Sequence, residues 1–301
     1  MNRNIRQTVF PLLAAMIWGL SFSAQSIASE HIGPFGFNCY RGFMAFLALS
    51  VLDLVSAHLI PGRRHLFQLV GPERKSTLVA GTACGVVLFL ASNMQQLGMA
   101  GTSAGKAGFI TAMYIVIVPL LGFLQGKRPT PILWCSVAIA ATGLYFLCVK
   151  EGFSIVRSDF YVLICAFLFA IHIMVIDHFS GKADGIQMSC LQFLTLSLLS
   201  GLGVLFTEEF SLEAIMICAV PILYSGILSG GAGYTLQILA QKDANPTVVS
   251  LLLSLESVFA ALGGVVLLGE SMGSRELIGC ALMMVAVVLA QLPAANKSPS
   301  L

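Results

Sequence analysis

Residues 107–126 read AGFITAMYIVIVPLLGFLQG, twenty positions without an Asp, Glu, Lys or Arg, followed by Lys127 and Arg128. A helix that crosses a bilayer needs about 20 mostly apolar residues, because in hydrocarbon each backbone N–H and C=O must be satisfied inside the segment. The surrounding chain repeats the pattern. Charge-free windows recur at 7–29, 76–105, 129–149, 160–176, 185–207 and 214–241. A shorter one, 42–52, lies between Arg41 and Asp53; residues 244–269 are interrupted only by Glu256; 277–296 close the series. The predicted spans are 9–28, 35–55, 77–98, 103–123, 131–149, 159–177, 187–206, 219–239, 246–268 and 276–293. The chain reads as an all-α integral membrane protein with ten transmembrane helices.

Composition excludes the alternatives. Of 301 residues, 57% are hydrophobic and 10% charged, against roughly 25% charged in a soluble domain. Such a chain cannot cover itself with a charged surface in water, which argues against a cytosolic enzyme, a secreted module and a disordered segment. The net charge of +2, with no basic run longer than two residues, offers no stripe for tracking phosphates, so no nucleic-acid partner is expected. The eight cysteines form no CxxC pair and read as small buried hydrophobes. The longest connection, about 56–76, is too short for a second domain. No GxxxxGK[ST] or HExxH motif occurs. No cofactor or metal is expected, and any driving energy comes from a solute or ion gradient, a proton gradient among them. The expected partners are membrane lipid and a small-molecule substrate, with the protein a monomer or weak homodimer.

Lysine and arginine set the orientation. With a cytoplasmic amino terminus, the inner segments hold Arg3, Arg6, Arg63, Arg64, Arg74, Lys75, Lys127, Arg128, Lys182, Lys242 and Lys297; the outer loops hold Lys150, Arg157 and Arg275. Eleven against three favours both termini on the cytoplasmic side of the cell membrane. Ten spans divide into two halves of five, and an odd number per half turns the second upside down, as in many carriers. A shift of 143 residues lays 103–149 on 246–292 without a gap and sets Gly126 on Gly269, with Lys127 and Arg128 beside Glu270.

Polar residues inside the apolar windows are the candidate site. Glu256, in SLLLSLESVFAALGGVVLLGE, lies roughly 15 Å from each interface at 1.5 Å per residue. A carboxyl group there binds substrate or proton in a wet cavity, or makes a structural hydrogen bond to a neighbouring helix. Arg41 and Lys106, toward the outer ends of spans two and four, either contact an anionic group or snorkel to the headgroups. His172 titrates near neutrality or satisfies a carbonyl. Gln95, Gln96, Gln192 and Gln237 offer neutral hydrogen bonds; Trp18 and Trp134 are cavity walls or anchors. Gly226, Gly230, Gly231, Gly233, Gly81 and Gly85 permit close helix packing or local unwinding. Pro119, deep in span four, frees a backbone carbonyl.

Four segments carry a family resemblance: IWGLSFSAQ (17–25), PFGFNCYRG (34–42), KAGFITAMYIVIVPLLGFLQGKRP (106–129) and SLESVFAALGGVVLLGE (254–270), the last ending in an LGE turn. In their order within ten spans the chain resembles the EamA branch of the drug/metabolite transporter superfamily, over about residues 9–293. The resemblance implies two inverted five-helix repeats, 9–149 and 159–293, around a cavity lined mainly by spans 1, 3, 4, 6, 8 and 9. It also implies export of amino acids or other small metabolites. It carries over Trp18, Ser21, Gln95, Tyr114, His172, Tyr234 and Glu256 as cavity candidates. The first-repeat turn has Lys127 after Gly126 where the family often has an acid.

The expected function is a secondary active transporter, not an enzyme, moving a small metabolite by alternating access. Its candidate binding residues are Glu256, Trp18, Ser21, Arg41, Gln95, Lys106, Tyr114, His172 and Tyr234. The alternative is a non-transport membrane protein. An intramembrane enzyme would need His172 and Glu256 to meet at one depth; a channel would need a more polar lining.

Overall fold

The structure, a computed structural model, describes residues 3–102, 104–149, 156–268 and 272–292. Lys150, Lys297 and the Gly269–Glu270 turn of the sequence argument lie outside the described residues. Everything described is helix and connecting turn, without a strand. The helices are α1 (Arg3–Ser29), α2 (Pro34–Leu59), α3 (Gly71–Met99), α4 (Ala104–Ala112), α5 (Tyr114–Leu124), α6 (Pro131–Cys148), α7 (Arg157–Phe179), α8 (Gly185–Thr207) and the short α9 (Leu212–Ile217). Then follow α10 (Ala219–Leu223), a π-helical stretch Tyr224–Tyr234, α11 (Thr235–Gln241), α12 (Pro246–Leu253), α13 (Glu256–Leu268) and α14 (Ser274–Gln291).

Among the described residues eight helical stretches are long and apolar enough to cross a membrane, with α4 and α5 together making one of them. The bundle is solvated as lipid demands. Val51, Leu54, Leu90, Leu198, Leu205 and Phe206 are exposed, while Asn38, Ser92, Gln96, Gln192, Ser200 and Ser250 are buried. This is a multi-pass membrane protein.

Three predicted spans are interrupted. Between α4 and α5, Val116 N–H reaches back only three residues, to Met113 O at 3.0 Å. That break stands six residues before Pro119, whose missing N–H leaves no donor for the Ile115 carbonyl. Between α12 and α13, Leu255 N–H bonds Leu252 O at 3.3 Å and Ser257 N–H bonds Ser254 O at 3.2 Å. The third interruption is the π-helical stretch, where the glycine cluster lies; there Gly226 lies against the backbone of α2 at Arg41 and Gly233 against the Trp18 ring. Close packing and local unwinding thus coincide in one segment.

The connection expected at about 56–76 shrinks to the residues between Leu59 and Gly71. Pro72 starts α3 at a position where its missing N–H is harmless, and Glu73, Arg74 and Lys75 extend that helix past the apolar window. The cysteines divide: Cys84, Cys165, Cys190 and Cys218 are buried as expected, whereas Cys135 is exposed; all eight are free.

α6 packs most extensively on α14, α2 on α8, and α3 on both α7 and α8; α1 packs on α13, the π-helical stretch and α11. At the α6–α14 crossing a Cβ on Gly143 would stand 2.8 Å from Gly279 O, so the two backbones touch. At the end of α5, Gly126 takes φ +82°, and Lys127 N–H bonds Gly122 O at 2.9 Å. That left-handed residue turns the chain toward α6.

Ionic contacts gather at the two ends. One end joins Arg63 to Asp53 and Asp184 (3.3 and 2.9 Å), Arg6 to Asp243 (3.6 Å) and Lys127 to Asp177 (2.5 Å). The other joins Lys106 to Asp159, and Glu208 accepts from the N–H groups of Phe35 and Gly36 at 2.8 Å each.

Candidate functional site

Trp18, Ser21, Phe22 and Gln25 fall at i, i+3, i+4 and i+7, so one stripe of α1 presents them together. That stripe lines a cavity at mid-depth. Its other walls are Arg41 of α2, Gln95 of α3, Thr111 and Tyr114 on either side of the Met113 break, and Phe169 and Ile173 of α7. Ser229 and Tyr234 of the π-helical stretch, Gln237 of α11, and Leu253 and Glu256 on either side of the second break complete it. The helix breaks therefore border the cavity. The volume is about 40 Å³, room for a few water molecules.

Glu256 is buried, 4% exposed, and its Oε1 accepts from Tyr114 Oη at 3.1 Å. α1 reaches its backbone because Gly19 has no side chain: a Cβ there would stand 2.6 Å from Glu256 O. Arg41 is equally buried, and among the described residues it enters no ion pair. Its Nε–H donates to Asn38 Oδ1 at 2.7 Å. One cavity thus holds an acid and a base that are not paired with each other.

The neutral wall is part satisfied and part open. Gln95 Nε2 donates to Thr111 Oγ1 at 3.2 Å, and Trp18 Nε1 donates to Ser229 O at 3.1 Å. Among the described residues Ser21 Oγ, Gln25 Oε1 and Gln237 Oε1 are buried without a hydrogen-bond partner. An unmet buried polar atom costs about 1–3 kcal/mol, so these three atoms favour a polar guest. An aromatic face completes the wall: Trp18 and Tyr234 ring centroids lie 4.7 Å apart, backed by Phe193 at 5.4 Å from Tyr234.

Seven of the nine residues singled out by sequence meet here: Trp18, Ser21, Arg41, Gln95, Tyr114, Tyr234 and Glu256. Two stand elsewhere. His172 is behind the wall, its ring 5.9 Å from that of Tyr234 and its Nε2 3.2 Å from Gln192 Oε1. It does not line the cavity with Glu256, so no acid–base pair forms between them. Lys106 does not line the cavity: its Nζ lies 2.5 Å from Asp159 Oδ2, and Asp159 Oδ1 accepts from Thr102 Oγ1 at 2.8 Å. It ties the start of α4 to the start of α7.

Sequence reasoning missed Gln25, Thr111 and Ser229. Gln25 had a signal, since it completes the α1 stripe; Thr111 and Ser229 had none of their own. Arg41 adds the second predicted span to the six that the family resemblance implies. Among the described residues no three His, Cys, Asp or Glu side chains gather into a metal-holding group.

The EamA-like transporter family matches residues 8–149 and 156–292. An uncharacterized transporter of Archaeoglobus fulgidus is 30% identical over 286 residues, covering 93% of this chain and 84% of the relative. A second uncharacterized transporter, from Methanothermobacter thermautotrophicus, is 21% identical over 304 residues, covering 92% and 84%. A solved crystal structure superimposes with a TM-score of 0.76 at 16% identity, covering 95% of this chain and 96% of the other; that likeness speaks to the fold.

Proposed function

The chain belongs to the EamA-like transporter family, and from that premise we propose that it is a secondary carrier exporting a small metabolite by alternating access. The solute is an amino acid or a related polar compound. It binds at mid-depth between Arg41 and Glu256, with Trp18, Tyr114 and Tyr234 as its aromatic surround. Family and relatives point to a transporter rather than an enzyme.

The observation that carries the reading is the pairing of one acid and one base, separately held, in a cavity inside a bundle whose outer face is apolar. Charged groups at that depth are costly and mark solute or ion paths. Glu256 supplies the carboxylate for a cationic group or for a coupling proton.

The proposal includes ten spans, with the interrupted stretches 219–241 and 246–268 counted among them. It places both termini in the cytoplasm and sets repeat 9–149 inverted against repeat 159–293. Two features support the repeat. Met113 shifted by 143 falls on Glu256, so the breaks in the fourth and ninth spans lie within two residues of equivalence. The packing of α3 on α7 has its counterpart in that of α1 on the π-helical stretch and α11. Discontinuous helices at equivalent places in two halves are a common way to build a carrier's binding site.

The test is counterflow in proteoliposomes against a labelled pool of amino acids and metabolites, with and without a pH gradient. The reading expects uptake above protein-free vesicles for at least one solute. Uptake no greater than in protein-free vesicles across the pool refutes it.

A further inference from the structure

A chain of hydrogen bonds runs from α8 through α3 into α2 and ends on Arg41, the base that lines the cavity. Ser200 Oγ accepts from Asn93 Nδ2 at 3.2 Å, and the same amide donates to Phe89 O at 2.8 Å. Asn93 Oδ1 accepts from Asn38 Nδ2 at 3.1 Å, and that amide also donates to Pro34 O at 2.9 Å. Both amide hydrogens of Asn38 are thereby committed, which turns its Oδ1 toward Arg41 Nε, 2.7 Å away. Asn38 and Ser200 are fully buried and Asn93 nearly so. The Arg41 guanidinium is further held against the Phe37 ring, 5.4 Å from its centroid.

Fixing a guanidinium by Nε leaves its two terminal nitrogens as a forward-facing fork. That edge matches the two coplanar oxygens of an oxyanion, which lysine's single ammonium does not. A buried arginine without a carboxylate partner is costly to the protein alone, and a guest that brings its own oxyanion offsets the cost. Resting on the carrier reading, we propose that Arg41 is the oxyanion-binding end of the cavity and that Asn38, held by Asn93 and Ser200, is its positioning residue. The transported solute carries a carboxylate or phosphate group that docks on the Arg41 fork. Asn38 itself touches no solute; it sets the direction in which Arg41 faces.

The experiment loads proteoliposomes of the full chain with the low-molecular-weight extract of cells and identifies released solutes by mass spectrometry against protein-free vesicles. The expected released solutes carry an oxyanion, and their masses tell carboxylate from phosphate. For the solute so identified, Asn38→Ala raises the half-saturating concentration roughly tenfold, the effect of losing one hydrogen bond to a charged group, with the maximal rate little changed. Asn38→Asp keeps the acceptor that faces Arg41 and changes its charge. It gives up the two donor bonds to Asn93 and Pro34, and it adds a carboxylate that competes with the solute, so half-saturation rises at least as far. Arg41→Lys keeps the charge and loses the fork, and it too weakens binding. Release only of solutes lacking an oxyanion overturns the proposal, and so does wild-type half-saturation in Asn38→Asp. No release above protein-free vesicles overturns the carrier reading beneath it, a distinct failure.

Discussion

Replacing Glu256 by Gln separates a transport role from a structural one. Among the described residues this carboxyl group makes one hydrogen bond, from Tyr114 Oη to Oε1 at 3.1 Å. Glutamine keeps an Oε1 acceptor of the same reach, so the bond survives. The change in folding stability is then no larger than the difference between two modest hydrogen bonds, about 1 kcal/mol. In detergent this keeps the apparent melting temperature within about 4 °C of wild type. Transport loses the charge itself. A charge-assisted hydrogen bond to the solute contributes about 1.5–3 kcal/mol, so uptake at limiting solute falls roughly 10- to 150-fold. If Glu256 carries the coupling proton, the variant also loses the response of flux to an imposed pH gradient. The assay pairs thermal unfolding with initial-rate counterflow on the same preparation. A variant that unfolds early and transports in proportion to its folded fraction refutes the reasoning, as does one that transports at the wild-type rate.

Gly143→Val puts a branched side chain where a single Cβ already stands 2.8 Å from Gly279 O; it should cost about 1–3 kcal/mol by overpacking, read as earlier thermal unfolding, and unchanged unfolding refutes the close crossing. Asp159→Asn removes the carboxylate from a pair whose side chains are 3% and 18% exposed, and Asp177→Asn does so in one at 20% and 46%. The first should destabilise by about 3–5 kcal/mol and the second by no more than about 1 kcal/mol; thermal unfolding in the reverse order contradicts the burial argument. Topology reporters inserted between residues 60 and 70 and between 208 and 211 should report opposite sides of the membrane, and the same side for both contradicts the threading.

The spans were legible because bilayer thickness fixes helix length, and charge-free windows of that length are rare by chance. Glu256 was legible for the converse reason, since a charge within such a window is conspicuous, and Arg41 stood out at the edge of a short one inside a predicted span. Small neutral groups are not. Thr111 and Ser229 resemble many other hydroxyl residues in the chain, and only the folded bundle decides which face the cavity. Lys106 misled because its partner, Asp159, is 53 residues away, beyond any local pattern. His172 misled because position within a span fixes depth and not the direction of the ring. The break before Glu256 carries no Gly or Pro at Ser254 or Leu255, so nothing local announced it.

A cavity of about 40 Å³ holds water and no metabolite, so binding between Arg41 and Glu256 requires walls that part. How each wall is joined says which parts at least cost. α6 and α14 touch backbone to backbone at Gly143 and Gly279, and α1 meets Glu256 the same way at Gly19; opening those crossings forfeits dispersion contacts along whole helices. The seam of α4 and α5 with α7 is joined differently. At one end the buried Lys106–Asp159 pair, with Thr102, closes it. At the other stands the half-exposed Lys127–Asp177 pair beside a groove of about 480 Å³, lined by Leu121, Ile171, Met174 and Val175. A half-exposed pair contributes little to closure. On the proposed carrier cycle the Lys127 end is the one expected to open first, and on the proposed orientation that end faces the cytoplasm, where an exporter would take up its load.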